Sequence, residues 1–442
     1  MIGIKSGMVM QRGPENVCDI TIQAAALPPF AVYRGAAEGN ASIEPAAEGA
    51  YRLRGIPTGG PYTVTLGDSV FESVYVGDVW ILAGQSNMEG LGHMTAEDYH
   101  FTPREDVRAL YLSNEWAPAK EALHDLGDAH FKIHGLLGGC HKPVAISVGP
   151  GLSFGLTMQA YTGVPQGLIC CAHGATNLAY HWDPDALPQG PDRSLYAAMV
   201  RRVEENGSHV RGMFWYQGCS DAEDQLCEAY TENMKQFVAA CRRDMGEHLP
   251  IVQVQIGRTV SRPNADYRRW WDIIQERQRR MDEEIERLLT VSAITKELDD
   301  AIHLDSPSQA ALGREAAEAM YCLVFGTDRR GCLPPPQLEA YWLETDALTG
   351  LARLKIRYRN LHGRLTAEGR PHGFSVLDAT PGNLPQLVFK VTLEGDTAVL
   401  HLAVPEAALH GLALYYGYGP DPYCNITDAA GRSIPAMGPI VL

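Results

Sequence analysis

The chain has 442 residues, more than one ordinary domain needs, so we expect two or three domains. A hydrophobic content of 45% with 20% charged residues is typical of a globular protein. The formal net charge of −16 argues against a nucleic-acid-binding protein and against binding to an anionic membrane surface. No apolar run approaches the roughly 18 residues that a membrane span requires.

The ten cysteines contain no Cys-x-x-Cys pair and no zinc-ligand spacing. They predict small buried thiols in a reducing compartment, and we expect neither a metal nor a cofactor. The N-terminal segment MIGIKSGMVMQRG lacks the basic head and apolar core of a secretory signal. We therefore expect a cytoplasmic protein, with a secreted protein that has lost its signal as the alternative.

The first part of the chain, residues 1–76, predicts a small β-domain. Its β-branched or alternating runs are short and are separated by Gly, Pro and Asn, and no stretch has a helical period. The predicted strands are residues 17–22, 51–53, 62–66 and 70–76.

The middle of the chain, residues 77–330, alternates predicted strands with predicted helices. Repeated βα units imply a mostly parallel sheet covered on both faces, the α/β class. We expect the last helix to be capped by Ser306, with Pro307 at its first position. The predicted strands are residues 79–83, 108–112, 166–172, 210–216, 251–256 and 288–294, and the predicted helices are residues 150–161, 194–205, 227–245, 267–286 and 306–324.

The last part, residues 331–442, begins with the Pro-rich linker GCLPPP at residues 331–336. Strand patterns separated by Gly, Pro and Asn follow this linker and favour a C-terminal β-sandwich. These predicted strands are residues 353–358, 387–393, 398–402 and 412–416.

A predicted strand that ends at Gly84 leads directly into Gln85, Ser86 and Asn87. Open α/β sheets bind their ligands at the carboxyl ends of the strands, so Ser86 is a candidate nucleophile. Met88 stands where the Gly-x-Ser-x-Gly elbow has its second glycine, so this is not that turn. The alternative is an ordinary N-cap serine that opens a helix.

Asp300 and His303 lie three residues apart in the loop before the last predicted helix. One tight turn can bring the carboxylate to Nδ1 of the imidazole, where it would fix the tautomer and stabilise the imidazolium. The loop is therefore a candidate source of the base for Ser86. The alternative is a solvated acidic loop with an incidental histidine, since the chain contains 15 histidines.

Acyl transfer requires donors for the oxyanion of the tetrahedral intermediate. The backbone N–H of Gly174 and the side-chain amide of Gln217 both follow predicted strands, and the N–H of Ser86 would be the third donor. The alternatives are a plain turn glycine at 174 and a glutamine at 217 that binds nearby backbone.

Four further residues are candidate substrate contacts. Tyr180, His181 and Trp182 closely follow the turn at Gly174, so we expect them to line the cleft. Asn87 either contacts substrate or supports the nucleophile turn.

The order of these strand ends resembles that of the SGNH hydrolases, and the local motifs resemble the sialate O-acetylesterase-like carbohydrate esterases of that superfamily. The segments KSGMVMQRGP and YYGYGPDPYCNITDAAGRSIPAMG are similar to the flanking β-domains of that family, so the resemblance covers most of the chain. The motifs are GQSNM at 84–88, GPGLSFG at 149–155, HGAT at 173–176, WYQGCSDA at 215–222 and DDAIH at 299–303.

The resemblance implies a three-layer SGNH-hydrolase (flavodoxin-like) parallel-sheet core flanked by N-terminal and C-terminal β-domains. It implies a serine esterase that removes O-acetyl groups from sugars, with Ser86 as nucleophile, His303 as base and Asp300 as its partner. Gly174 and Gln217 match the oxyanion positions. The sequence departs from the family at Cys219, where the family usually has Glu.

The expected partner is a small acetylated sugar or oligosaccharide, with no nucleic acid and no membrane. Sialic acid, xylan-derived oligosaccharides and other acetylated glycans all fit. The alternatives are an SGNH esterase acting on non-sugar short-chain esters and a carbohydrate-binding relative that has lost the reaction.

Overall fold

The structure is a computed structural model that describes residues 1–260, 265–327, 330–378, 387–419 and 421–442. In these ranges the chain is a mixed α/β protein with many strands in several sheets. The helices in the same ranges are all too short or too polar to cross a membrane.

Strand β8 connects the N-terminal strands to the rest of the protein. Its first half pairs with β1 in parallel and with β7 in antiparallel fashion. The strand therefore runs straight through the boundary predicted at residues 76–77. The first eight strands are β1 (Val9–Gln11), β2 (Val17–Gln23), β3 (Ala31–Gly35), β4 (Gly39–Asn40), β5 (Ser42–Ala47), β6 (Ala50–Pro57), β7 (Gly59–Leu66) and β8 (Ser69–Gly84).

Strands and helices alternate after β8. The strands are β9 (Gly92–His93), β10 (Val107–Leu110), β11 (Trp116–Pro118), β12 (Ile146–Val148), β13 (Gln166–Cys170), β14 (Gly212–Tyr216), β15 (Ile251–Gln255) and β16 (Leu288–Ser292). The helices are α1 (Ser86–Glu89), α2 (Ala96–Tyr99), α3 (Ile133–Leu136), α4 (Gly151–Thr162), α5 (Leu178–His181), α6 (Leu195–Glu204), α7 (Leu226–Met245), α8 (Ala265–Glu284) and α9 (Ser306–Phe325).

The central sheet has the strand order β11-β10-β13-β8-β14-β15-β16. All of its pairs are parallel except β10–β11. Leu82 of β8 lies opposite Cys170 of β13, and Gly84 lies opposite Tyr216 of β14. Because the strands run in register, the loops after β8, β13 and β14 leave the sheet at one edge.

The second half of β8 is buried along its whole length, from Val74 to Gly84. A continuous apolar run is what a parallel strand needs when both of its faces are covered. Trp80 packs edge-to-face on Phe154 of α4, and its indole N–H donates to Gln166 at 2.7 Å. This packing fixes the position of the strand that leads into the candidate nucleophile.

Helix α9 begins differently from the sequence prediction. Asp305 is the N-cap, and its carboxylate accepts a hydrogen bond from the Ser308 N–H at 2.9 Å. Ser306, predicted as the cap, instead donates its hydroxyl to Asp98 at 2.6 Å. Pro307 lies in the first turn, at the second helical position and not at the first as predicted. Asp and Ser are equally good caps, so the pattern alone could not separate adjacent candidates.

The C-terminal strands form sheets of their own around a separate hydrophobic cluster. Strand β25 packs on α8, and the side-chain amide of Gln255 exchanges two hydrogen bonds with the backbone of Ala436. The strands are β17 (Gln337–Thr345), β18 (Ala352–Arg359), β19 (Leu365–Ala367), β20 (Phe374–Asp378), β21 (Val388–Glu394), β22 (Thr397–Leu402), β23 (Leu412–Tyr416), β24 (Ile426–Asp428) and β25 (Met437–Val441).

Candidate active site

Ser86 opens the four-residue helix α1 two positions after β8 ends. Gly84 has a φ of +139°, and a Cβ there would lie 2.1 Å from the carbonyl oxygen of Tyr216. Only glycine fits this close approach, so the chain can turn sharply at the end of the strand. The turn leaves the Ser86 side chain at the sheet edge, 9% exposed. Because Ser86 is the first residue of a helix, its N–H has no acceptor within that helix.

His303 lies within hydrogen-bond distance of both Ser86 and Asp300. Its Nε2 is 2.9 Å from Ser86 Oγ, and its Nδ1 is 2.6 Å from Asp300 Oδ2. The other carboxylate oxygen of Asp300 accepts the backbone N–H groups of Ile302 and His303, both at 2.8 Å. The three predicted residues therefore form one hydrogen-bonded chain from hydroxyl to carboxylate.

The charge on Asp300 is favoured by the hydrogen bonds it accepts. Partial burial raises the pKa of this carboxyl, but the hydrogen bonds from the His303 ring and from the two backbone N–H groups outweigh that effect. The net result is an Asp300 pKa below its usual value. The carboxylate stays ionised and can hold Nδ1 of His303 in its protonated form.

The polar residues on either side of Ser86 each bind a different loop at the sheet edge. Gln85 accepts the N–H groups of Gly218 and Ser220 through its side-chain oxygen, at 2.9 and 3.3 Å. Asn87 binds the His303 loop, and Glu89 binds Gly174. The segment from 85 to 89 thereby joins three separate loops to the candidate nucleophile.

Asn87 is 1% exposed, and both polar atoms of its amide form hydrogen bonds inside the protein. It donates to the carbonyl of Ile302 at 3.1 Å and accepts the N–H of Leu304 at 3.0 Å. Its oxygen also accepts from the Gln309 amide at 3.1 Å. Both polar atoms of the Asn87 side chain face the His303 loop and α9. Of the two interpretations from sequence, support of the turn therefore fits this geometry, and contact with substrate does not.

Gly174 lies beside Ser86, since a Cβ at 174 would be 3.4 Å from Ser86 Cβ. Its N–H, the predicted oxyanion donor, is bound to Glu89 Oε2 at 2.5 Å. The other oxygen of Glu89 forms an ion pair with Lys142 Nζ at 2.7 Å. Gly174 therefore lies next to the candidate nucleophile, and its N–H is bonded to a carboxylate of the protein itself.

The side chain of Gln217 is completely buried. Its Nε2 donates to the carbonyl of Thr176 at 3.0 Å and to the carboxylate of Asp221. Neither amide hydrogen is therefore available to an oxyanion in this arrangement, contrary to the sequence prediction. The alternative considered there, a strand-end glutamine that binds nearby groups, describes the observed contacts.

Asp221 is the carboxylate that contacts Gln217, and it lies two residues beyond Cys219. It also accepts the N–H of Leu178. Burial raises the pKa of Asp221 to about 7. Burial also raises the pKa of the Cys219 thiol to about 12, which keeps Cys219 uncharged and argues against a nucleophilic role.

The three residues after the Gly174 turn have different environments. Trp182 is fully buried, packs on Trp215 and Phe237 and donates its indole N–H to Thr176 Oγ1 at 3.2 Å, so it is a core residue and not a cleft residue. His181 is half-buried and hydrogen-bonded to Asn177. Tyr180 is 73% exposed, which leaves its ring free to meet a ligand.

Glu89 and Lys142 were missed by the sequence analysis. Glu89 lies three residues after Ser86, a spacing that returns a side chain to the same face of a helical turn, and this was the available signal. Lys142 lies in an irregular region between α3 and β12, where no pattern indicates contact with Glu89. Asp221 was also missed, although it lies in the WYQGCSDA motif.

One group of side chains in the described residues has atoms close enough to share a metal ion. Asp125, Asp128 and His141 place one ligand atom each within 4.8 Å of one another. Asp128 and His141 are largely exposed, and the histidine is already paired with the two carboxylates. Exposed pairs of this kind form readily without a metal, so the group carries no assignment.

A family model described as "carbohydrate esterase, sialic acid-specific acetylesterase" matches residues 76–322. The chain belongs to this family. It is therefore a carbohydrate esterase, and the resemblance seen in the sequence motifs is confirmed. The match begins within β8 at residue 76 and ends within α9 at residue 322, so it includes Ser86, Asp300 and His303.

The solved structures that are similar to this carbohydrate esterase include the following two. A carbohydrate acetylesterase from Xanthomonas citri is 17% identical with a TM-score of 0.70, and the alignment covers 99% of this chain and 98% of that chain. This likeness shows a shared fold along the full length. A protein from Arabidopsis thaliana is 25% identical with a TM-score of 0.43, covering 56% of this chain and 98% of that one. None of the curated proteins compared with the chain matches it.

Proposed function

We propose that this carbohydrate esterase is a sialate O-acetylesterase-like enzyme that hydrolyses acetyl esters on sugars through a Ser86-His303-Asp300 triad. The observation that carries the proposal is the unbroken hydrogen-bonded chain from Ser86 Oγ through the imidazole to Asp300. A hydroxyl, an imidazole and a carboxylate in this order form the arrangement that activates a serine for acyl transfer.

In the proposed cycle, Ser86 Oγ attacks the acetyl carbonyl carbon while Nε2 of His303 takes the hydroxyl proton. The sugar alcohol leaves with that proton, and an acetyl group remains on Ser86. Water then attacks the acetyl-enzyme, with His303 again as base, and acetate is released. Asp300 remains ionised throughout and stabilises the imidazolium.

The backbone N–H groups of Ser86 and Gly174 are the proposed oxyanion donors, because Gly174 adjoins Ser86 and the Ser86 N–H opens a helix. The proposed role of Gln217 is to hold the turn at Thr176 and thereby the backbone at Gly174. Tyr180 and His181 remain proposed substrate contacts, of which Tyr180 is the more exposed.

The proposed architecture is a three-layer catalytic α/β domain, residues 77–330, flanked by β-domains at residues 1–76 and 331–442. The parallel order of the central sheet and the separate C-terminal hydrophobic cluster support it. The continuity of β8 across residue 76 means that the first of these domains would share a strand with the second.

The test is acetate release from a panel of O-acetylated sugars, including O-acetylated sialic acid and acetylated xylo-oligosaccharides. The wild-type protein should release acetate from at least one sugar, and Ser86→Ala should lower the rate by at least about 10³-fold. Ser42→Ala, in the remote strand β5, is the control for loss of a serine hydroxyl and should be as active as wild type.

Two outcomes would contradict the proposal. Wild-type rates in the Ser86→Ala variant would remove Ser86 from the mechanism. Sugar binding without acetate release would instead favour a non-catalytic carbohydrate-binding protein. Rates on aryl esters of increasing acyl length separate an acetylesterase, which should prefer the shortest chain, from an esterase for non-sugar esters.

A further inference from the structure

Glu89 bridges the Gly174 turn and Lys142 beside the proposed nucleophile. Its Oε2 accepts the Gly174 N–H at 2.5 Å, and its Oε1 lies 2.7 Å from Lys142 Nζ. Lys142 also donates to the carbonyl of Gly90 at 2.8 Å. The side chains of Glu89 and Lys142 are only 4% and 13% exposed, so this ion pair is built into the protein.

The Glu89 carboxylate accepts the N–H through which Gly174 would serve the reaction. A Cβ at Gly174 would lie 2.9 Å from Glu89 Oε2 and 3.4 Å from Ser86 Cβ, so both side chains adjoin the same small residue. One N–H cannot fully bind a carboxylate and an oxyanion together. Two negative charges this close also repel each other, more strongly in a partly buried site than in water.

We propose that Glu89 binds the Gly174 N–H in the resting enzyme and releases it when the oxyanion forms on the acyl group at Ser86. This inference rests on the proposed function, because it requires Ser86 to generate an oxyanion beside Gly174. On release, the carboxylate keeps its contact with Lys142, whose ammonium group is the alternative partner for both oxygens.

The two members of the ion pair therefore have opposite effects on the reaction. Glu89 competes with the oxyanion for a donor, so removal of its charge should favour the transition state. Lys142 draws Glu89 away from that donor, so removal of its charge should leave Glu89 on Gly174 and disfavour the transition state. A pair that only stabilises the fold would affect the reaction in the same direction whichever member was changed.

The experiment compares Glu89→Gln, Lys142→Met and the double variant, with kcat/KM on a short-chain acetyl ester and the Kd of methylboronic acid as readouts. When the boronic acid binds, Ser86 Oγ bonds to boron, His303 takes the hydroxyl proton, and boron becomes a tetrahedral anion. One of its hydroxyl oxygens occupies the place of the oxyanion. The boronic acid thus reports on the donors without turnover.

We expect Glu89→Gln to raise kcat/KM and to lower the Kd of the boronic acid, each by about tenfold. A change of this size corresponds to the free energy of one charge-assisted hydrogen bond that no longer has to be broken. Lys142→Met should weaken both by about tenfold, and the double variant should resemble Glu89→Gln. Glu315→Gln, which breaks the buried ion pair with Lys296, is the control. It should lower the thermal midpoint without raising kcat/KM.

Parallel losses in the two single variants would overturn the inference, since a structural ion pair predicts that result. If Glu89→Gln does not fold, Lys142→Met decides alone, and an unchanged Kd for the boronic acid overturns the inference. The proposed function fails separately, through wild-type acetate release by Ser86→Ala. An inactive Ser86→Ala together with an unimproved Glu89→Gln would contradict this inference alone.

Discussion

Asn87 determines, at the scale of single residues, where the imidazole lies relative to the nucleophile. Its side chain binds Ile302 and Leu304, the two residues that flank His303, while its own backbone follows Ser86 directly. Two hydrogen bonds of one amide group therefore help to set the distance between Ser86 Oγ and His303 Nε2, together with the contacts that Asp300 makes with His303. No other side chain in the described residues bonds to the backbone on both sides of His303.

Replacement of Asn87 by Leu should lower kcat about 10²-fold with a smaller effect on KM, because a misplacement of about 1 Å in a catalytic base is enough for such a loss. Steady-state kinetics measures both constants. Gln309→Met, the matched control, removes only the contact of α9 with Asn87 and leaves both bonds to the His303 loop. Its kcat should stay within about tenfold of wild type. Equal kcat values for the two variants would contradict the role of Asn87.

The candidate site residues that the structure brings together as the sequence analysis expected are those whose positions follow from local spacing. Asp300 and His303 meet through one turn of chain, and Ser86 follows a strand end, so neither placement needs tertiary information. The direction of a side chain does need it. Trp182 was expected in the cleft and packs in the core, and Gln217 turns inward. Contacts with residues distant in sequence, Phe237 for Trp182 and Thr176 for Gln217, decide where these side chains point.

At the scale of elements, strand β8 pairs with two different groups of strands and ends in the turn on which Ser86 lies. Its first half pairs with the N-terminal strands and its second half with β13 and β14. The sequence of residues 70–83 predicted strands on both sides of residue 76 but not that they form one continuous strand. A run of β-branched residues contains no signal for the position at which a strand changes its pairing partners.

Gly84→Ala should destabilise the protein by at least about 3 kcal/mol and abolish activity, because the new Cβ would overlap the Tyr216 carbonyl and the backbone has positive φ. Gly163→Ala is the control, since Gly163 has a φ of +70° with open space around a Cβ. It should cost about 1–2 kcal/mol. Urea unfolding gives both values. Equal losses would mean that positive φ alone, and not the contact with Tyr216, accounts for the effect at Gly84.

At the scale of the whole molecule, several buried carboxyl groups have raised pKa values. Burial raises the pKa of Asp221 and of Asp272 to about 7, of Asp282 to about 6 and of Glu121 to about 8. Each group is easier to ionise in the unfolded chain than in the folded protein. Their contribution to stability is therefore fully present below their unfolded pKa values and is lost as pH rises through about 6–8.

Asp272→Asn should stabilise the protein more at pH 8 than at pH 5, by about 2 kcal/mol in the free energy of unfolding. The asparagine keeps an oxygen for the Gly419 N–H, which Asp272 accepts at 3.4 Å, and removes the cost of a buried charge. Urea unfolding of wild type and variant at both pH values measures the difference. Asp68→Asn, on an exposed turn, controls for loss of charge and should change little. A pH-independent difference at Asp272 would contradict the account.

The overall fold was predictable in class and less so in detail. The alternation of strands and helices indicated an α/β protein with a mostly parallel sheet, and the order of strand ends led to the right family. The strands at Ala31–Gly35, Ser42–Ala47 and Gln337–Thr345 were not predicted. They are short or largely exposed, so their sequences lack the apolar alternation on which strand prediction depends.

The central claim, that Ser86 is the nucleophile activated by His303, is tested most directly by covalent labelling. The intact protein is treated with a small organophosphate, and the modified peptide is identified by mass spectrometry. We predict a single label on Ser86, no label in Ser86→Ala and strongly slowed labelling in His303→Ala, with loss of acetate release in proportion to labelling. A label on a different residue, or full acetate release by protein fully labelled at Ser86, would contradict the account.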